Sequence, residues 1–504
     1  MSWLLAARGW RADLAAAGLG ALSAAALPPL HILPALLLAF PGLLLLIGAA
    51  SGPFVAARRG FWFGMGHHVV GLYWITEAIL LESARYWWLV PFAVPALSAL
   101  LALFIAAPCG LARLVPPGWR RVLGLAGLWT LFDLARQFVG TGFPWNPFGS
   151  VWAIPGLAGD AMIQPAAWVG TPGLTLVTIL LAGAVTLGRP AVLGVVAVLA
   201  AWAAAGSLRL QGAEPPGTGL TAILVQGNTK QESKWSLALA REAFERHLAL
   251  TRQAVAAVQG PSVVIWPETS STPYWLETNP GARAAILAAA TPALAALVGS
   301  LSFTQGEPSN DPENLPLNSL VAIGADGRMA PLYSKWHLVP FGEYAPSWVP
   351  FSIQIVPGRF GFGRGPATLR LPGVPAFGPM ICYEAIFPAQ VVDQADRPDW
   401  LVNITNDAWF GNSSGPRQHL AAVRMRAVEE GLPVMRAANT GITAGFDARG
   451  RELGRTVMGV PTTLSLALPG KRPATSFSRW GLVIPGILAA AAAAAAFLGT
   501  RRRL

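Results

Sequence analysis

Pro379-Met380-Ile381-Cys382-Tyr383-Glu384 closes a short apolar run with a cysteine, one of only two in the chain. Two stretches upstream end in a comparable way. Val263-Val264-Ile265-Trp266-Pro267-Glu268 runs out into a carboxylate, and Tyr333-Ser334-Lys335-Trp336-His337 places an amine beside a short strand-like run. Around them, strand-like runs at 220–226, 262–266, 296–303, 319–323, 376–381, 400–404, 434–438 and 462–468 alternate with helical patterns at 237–258, 282–290, 388–395 and 416–430. Such alternation predicts an α/β layered fold with its chemistry on loops at strand ends.

A thiol, a carboxylate and an amine in these positions are the parts of a covalent acyl-transfer site. A free cysteine, with a pKa of about 8.5, is mostly protonated at neutral pH and attacks only as thiolate. Glu268 could take that proton as general base and return it to the leaving group. Lys335 could stabilise the thiolate and then the oxyanion, assisted by the backbone N–H of Tyr383, donors typically worth about 3 kcal/mol each. The chain has four lysines, Lys230, Lys234, Lys335 and Lys471, and otherwise uses arginine. A lysine kept in that background hints at work that a guanidinium cannot do.

The block is embedded in apolar sequence. Of 504 residues 53% are hydrophobic and 12% charged, half the charge of an ordinary soluble chain. A membrane span needs about 20 apolar residues. Eight segments qualify, near 12–29, 32–50, 60–81, 88–111, 120–138, 172–188, 190–207 and 480–499. The expected organisation is a transmembrane domain over 1–210, an exported catalytic domain over 211–475, and a last span with a basic tail over 476–504. The first segment reads as a retained anchor rather than a cleavable signal.

Loop charge orients the chain. Arg8 and Arg11, Arg58 and Arg59, Arg113, Arg120 and Arg121, Arg189, and Arg501 to Arg503 all fall on one side of eight spans. That side is expected to be cytoplasmic, both termini included, with the polar block on the periplasmic face of a bacterial inner membrane. The net charge of +11 follows from this placement, so a nucleic-acid partner is unnecessary. Cys109, at the cytoplasmic end of the fourth span, cannot pair with Cys382 in an exported block.

Val-Ile-Trp-Pro-Glu, Tyr-Ser-Lys-Trp-His-Leu-Val-Pro-Phe-Gly-Glu and Ile-Cys-Tyr-Glu, in this order, resemble the nitrilase superfamily, with its Glu-Lys-Cys triad. The resemblance spans roughly 220–468 and implies an α-β-β-α sandwich. With seven preceding spans and one following, the whole chain resembles the apolipoprotein N-acyltransferase family. Thr141-Gly142-Phe143-Pro144-Trp145, Val225-Gln226-Gly227-Asn228 and Asn403 to Gly411 match as well. The resemblance implies a ping-pong cycle. A phospholipid, commonly phosphatidylethanolamine, gives its sn-1 acyl chain to Cys382, and the amine of a diacylglyceryl-cysteine lipoprotein takes it. Glu343 is then the supporting glutamate, and Tyr383 and Glu384 flank the nucleophile. Trp235, Phe341, Trp409 and Phe410 become candidates for substrate contact or a lid, with the 348–362 stretch as a second mobile loop. No cofactor or metal is implied, and a single chain is expected to suffice.

Other residues carry weaker readings. His67-His68 could ligate a metal but lacks an evident third ligand, and Glu77 and Asp133 fall within spans without an assigned role. His337 is the rival partner for Cys382, in a Cys-His hydrolase. His419, at the start of a helix, reads as polar surface. A membrane-tethered amidase would need one anchor rather than eight spans, and a transporter or scaffold would not need the triad.

Overall fold

The computed structural model describes residues 6–81, 83–231, 236–306, 311, 313–346 and 359–498. The chain divides into two compact units, Met1–Gly212 with Ser476–Leu504, and Ala213–Thr475.

The first unit is helical: α1 (Trp10–Ala24), α2 (Leu36–Gly48), α3 (Pro53–Gly71), α4 (Val90–Ala112), α5 (Trp119–Ala135), α6 (Ala166–Ala184), α7 (Arg189–Gln211) and a final helix Val483–Phe497. A helix thus stands at each of the eight expected segments, with shifted ends. The first stops at Ala24, ahead of Pro28-Pro29. The third runs from Pro53, a residue suited to a first helical turn, to Gly71. Among the described residues, three stretches are long and apolar enough to cross a membrane, Trp87–Ala112, Ala166–Leu187 and Arg189–Gln211, and Leu33–Gly48 and Val483–Phe497 are shorter apolar helices. The others carry charge: Asp13 of α1 pairs with Arg58 of α3 at 3.2 Å, and Asp133 of α5 with Arg136 at 2.7 Å.

Small residues let these helices approach. At Gly20 of α1 a Cβ would collide with the Phe63 carbonyl of α3, and at Gly66 of α3 with the Ala17 carbonyl. Such close approach of two helix backbones brings many atoms into van der Waals contact and favours their association.

The second unit, in its described residues, is a sandwich of two six-stranded sheets. One has the order β12-β1-β2-β3-β4-β5 and the other β11-β10-β9-β8-β7-β6. The strands are β1 (Thr221–Gln226), β2 (Ser262–Ile265), β3 (Ala295–Phe303), β4 (Pro316–Gly324), β5 (Tyr333–Ser334), β6 (Leu369–Leu371), β7 (Val374–Ile381), β8 (Trp400–Thr405), β9 (Val434–Ala438), β10 (Ala444–Phe446), β11 (Glu452–Arg455) and β12 (Thr462–Ala467). Both sheets are mixed: β1, β2 and β3 run parallel, as do β7, β8 and β9, while the outer pairings are antiparallel.

Side-chain alternation along the strands builds the layers. Ala222 and Leu224 of β1 face inward with Val263 and Ile265, against Phe377, Ile381, Trp400 and Val402 of the other sheet. Ile223 and Val225 face outward, under Phe244, Leu248 and Val255 of α8 (Leu237–Ala257) and Ile286 of α9 (Pro280–Ala290). On the opposite side α10 (Gly415–Glu430) lays Leu420, Val423 and Ala427 over Met380, Leu401 and Val434. Each valine, leucine, isoleucine or methionine among these, fully buried, contributes about 1.5–3 kcal/mol. The layers are therefore α-β-β-α.

One expected helix is absent: 388–395 forms turns, because Ala389 takes φ 62, outside the helical region. The short strands β5, β6, β10 and β11 go beyond the sequence reading; two to four residues leave too little alternation to detect.

Candidate active site

Four strand ends converge on one buried cluster. Glu268 follows β2, Lys335 follows β5, Cys382 follows β7 and Asn406 follows β8. Three of these strands, β2, β7 and β8, belong to the parallel cores of their sheets. The carboxyl ends of parallel strands are where α/β proteins place their reactive groups.

Lys335 is 1% exposed. Its Nζ donates to Glu343 Oε1 at 2.9 Å and to Glu268 Oε1 at 3.3 Å. Burial alone would pull the proton off this amine, but Glu343 and Glu268 outweigh it and hold its pKa above the ordinary value. The lysine is thus a fixed positive charge. Asn318, on β4, binds the two carboxylates together: its Nδ2 donates to Glu268 Oε1 at 2.6 Å and to Glu343 Oε1 at 3.0 Å. Two backbone amides complete the cradle, Asn406 N–H on Glu268 Oε2 at 2.7 Å and Val339 N–H on Glu343 Oε2 at 2.8 Å.

Cys382 opens a 3₁₀ turn, Cys382–Ile386, straight off β7, and its backbone takes φ 50. Such a conformation costs a non-glycine residue about 1–3 kcal/mol and persists only where surrounding contacts enforce it. Burial pushes the thiol pKa up, the Glu268 carboxylate pushes it further, and Lys335 opposes both. The resting sulfur is therefore a protonated thiol, next to a carboxylate able to receive the proton and an ammonium able to stabilise the resulting charge.

Glu384, one turn on, accepts the Ile381 N–H at 2.6 Å, the Tyr333 hydroxyl at 2.9 Å and the Trp336 N–H at 2.8 Å. It ties the end of β7 to the strand carrying Lys335. Burial lifts its pKa to about 7 against those three donors.

Known proteins show the same two-part plan. The family model described as "Carbon-nitrogen hydrolase" matches residues 221–462, and that described as "Apolipoprotein N-acyltransferase N-terminal domain" matches residues 19–184. An apolipoprotein N-acyltransferase of Bradyrhizobium diazoefficiens is 38% identical over 98% of this chain and 96% of its own. One from Rhodopseudomonas palustris is 36% identical over 97% of this chain and 95% of its own. The chain belongs to the apolipoprotein N-acyltransferase family. Among solved structures, Saccharomyces cerevisiae Nit3, of the nitrilase superfamily, is similar over 56% of this chain and 97% of its own, with 16% identity and a TM-score of 0.37.

Phe341, φ 63, sits in the turn that carries Glu343 and donates its N–H to the Tyr344 carbonyl at 2.8 Å. The buried Tyr383 ring packs edge-on to Phe387 at 5.3 Å. Trp409 and Phe410 are half-buried in a 3₁₀ turn, Asp407–Phe410. Trp235, and 348–358 of the expected second loop, lie outside the described residues. His337 does not compete with Lys335: its Nε2 bonds Gln390 Oε1 at 2.8 Å and its ring stacks on Phe387, and burial lowers its pKa to about 4. In the helical unit, His67 Nδ1 contacts the Ser23 hydroxyl at 2.9 Å. Among the described residues no group of three His, Cys, Asp or Glu side chains could hold a metal.

The reading of His419 as surface is overturned. It is fully buried, with Asp407 and Arg436, directly behind Cys382. The position carried no usable periodicity: α10 is buried on nearly every face, so its polar residues do not mark an outside. Asn318 was hidden in the same way, as a polar residue inside the apolar run of β4.

Proposed function

We propose that this protein carries a fatty acyl chain from a phospholipid, through a thioester on Cys382, to the N-terminal amine of a diacylglyceryl-cysteine lipoprotein. The observation that carries the reading is the buried Lys335 ammonium held between Glu268 and Glu343 beside the Cys382 elbow, in a chain of this family.

In the first half-reaction Glu268 takes the thiol proton as the sulfur attacks the sn-1 ester carbonyl, and an S–C bond forms. Lys335 and the Tyr383 N–H stabilise the oxyanion. The C–O bond then breaks, and Glu268 returns the proton to the glycerol oxygen, releasing a lysophospholipid. In the second half the lipoprotein amine attacks the thioester, an N–C bond forms and the C–S bond breaks. Glu268 passes the amine proton back to the sulfur. Glu343 and Asn318 keep Lys335 and Glu268 in register through both halves, and Glu384 holds the strands that present them.

A thioester open to water would hydrolyse, so a transferase must shelter it. Trp235, Phe341, Trp409 and Phe410 are the side chains assigned to that shelter or to lipid contact. Arginine placement supports eight spans in a bacterial inner membrane, with both termini cytoplasmic and the catalytic unit over 211–475 facing the periplasm. Phosphatidylethanolamine is the favoured donor, and one chain carries every group of the site.

The test uses purified protein in detergent micelles, given phosphatidylethanolamine and a synthetic diacylated lipopeptide. The lipopeptide should gain one acyl chain as lysophospholipid accumulates, and Cys382→Ala should do neither. Free fatty acid without acylated peptide would point to a hydrolase instead. Equal acylation by Cys382→Ala would refute the assignment.

A further inference from the structure

Three contacts fix the backbone that presents the Cys382 sulfur, and two of them come from residues with no place in the mechanism above. Glu384 accepts the Ile381 N–H at 2.6 Å. Asn403 Nδ2 donates to the Met380 carbonyl at 3.1 Å. His419 Nε2 lies 2.9 Å from the carbonyl oxygen of Cys382 itself. A carbonyl only accepts, so this ring nitrogen carries the proton and donates it.

The ring cannot swing away. Its Nδ1 lies 3.1 Å from Asp407 Oδ1 and 3.4 Å from Arg436 Nη2. Arg436 grips Asp407 Oδ2 and Asn403 Oδ1, both at 2.5 Å, and the Ile442 carbonyl at 3.1 Å. Although burial opposes it, the Arg436 guanidinium holds the Asp407 carboxyl down at about 2. A Cβ on Gly441 would run into the Asp407 carboxylate, so the loop after β9 closes the network from the far side. These groups come from β8, the 3₁₀ turn after it, α10 and β9, and are 0–1% exposed. A fully satisfied buried network of this kind rigidifies what it touches.

We propose that His419 is a positioning residue: by donating Nε2–H to the Cys382 carbonyl it holds the left-handed elbow that aims the sulfur at Glu268 and Lys335. The strained φ of Cys382 needs an enforcing contact on the residue itself, and His419 supplies one from a different layer of the sandwich. The inference rests on Cys382 being the nucleophile.

Two isosteric amides separate positioning from packing. In His419→Gln the amide nitrogen reaches the place of Nε2 and can still donate to Cys382. In His419→Asn the amide ends near the place of Nδ1, meets Asp407 and leaves the carbonyl unpaired. Full-length protein in micelles is assayed for single-turnover thioester formation with phosphatidylethanolamine, for alkylation of Cys382 by a maleimide, and for thermal unfolding. His419→Gln should stay within about threefold of wild type in both sulfur reactions, and His419→Asn should fall roughly ten- to a hundredfold at saturating lipid, with KM unchanged. The proposal is overturned if the two variants react alike, or if rates merely follow the unfolding temperatures. Alkylation needs no acyl transfer. If wild type were alkylated at Cys382 yet never acylated there, the nucleophile assignment would fail, while the alkylation rates of the two variants would still decide what His419 does.

Discussion

Lys335 stands closer to Glu343 than to Glu268, at 2.9 Å against 3.3 Å. The nearer carboxylate is the counter-charge, and the farther one is left to exchange a proton with the sulfur. Glu343→Gln keeps the shape and removes the charge, leaving a buried ammonium half-compensated. Stability should fall by about 3–5 kcal/mol, the usual cost of breaking a buried pair. The rate of thioester formation should drop roughly tenfold or more through kcat rather than KM, as Lys335 loses the anchor that aims it at the oxyanion. Denaturant unfolding and single-turnover kinetics on one preparation check both.

Glu268 raises the pKa of the thiol that it is proposed to deprotonate. Glu268→Gln should therefore separate reactivity from catalysis. With the anion gone and Lys335 still present, Cys382 should hold more thiolate at neutral pH and react faster with iodoacetamide than wild type. Acyl transfer should nonetheless be lost, since no base remains to shuttle the proton. Slower alkylation in the variant would contradict the electrostatic account.

His337 supplies a pH dependence with a definite sign. Its folded pKa, about 4, lies below the ordinary 6.5 because burial disfavours the charged ring. Between those values the unfolded chain binds a proton that the folded one refuses, so stability is lost as pH falls from about 6.5 to 4. His337→Phe cannot lose it. The unfolding temperature of the variant should gain on wild type across that interval and hold a constant difference above pH 7. Asp407, at about 2 in the fold, adds a separate loss only as pH falls from about 4 toward 2.

Gly299 on β3 lies against the base. An added Cβ would collide with the Pro267 carbonyl and crowd the Glu268 Cα, both backbone atoms that cannot swing aside. Gly299→Ala should destabilise by about 1–3 kcal/mol and reduce acylation more than a surface Gly281→Ala control, where only the Asn279 side chain is near. Equal activity of the two variants would mean that Glu268 tolerates displacement.

Much of this architecture was readable from sequence. The β1 run alternates between two apolar partners, so both faces of a covered sheet are visible in Ala222 to Val225. Glu268, Lys335 and Cys382 stand out because each breaks off an apolar or strand-like run. Polar groups inside the layers do not stand out. Asn318, Asp407, His419 and Arg436 take their site partners from far along the chain or from one another, Asn318 from Glu268 and Glu343 and the other three as a cluster, so local pattern gives them no role. The helix expected at 388–395 failed on a backbone angle, the positive φ of Ala389, which an alanine does not announce in sequence.

In this reaction scheme the acyl chain rests on Cys382 between donor and acceptor. The most direct test is the mass of the intact protein after incubation with phosphatidylethanolamine and no lipopeptide. The protein should gain one acyl chain, located at Cys382 by peptide mapping, in step with lysophospholipid release, and should lose it when the lipopeptide is added. Lysophospholipid release with no mass gain on the protein, or a gain at another residue, would contradict the account.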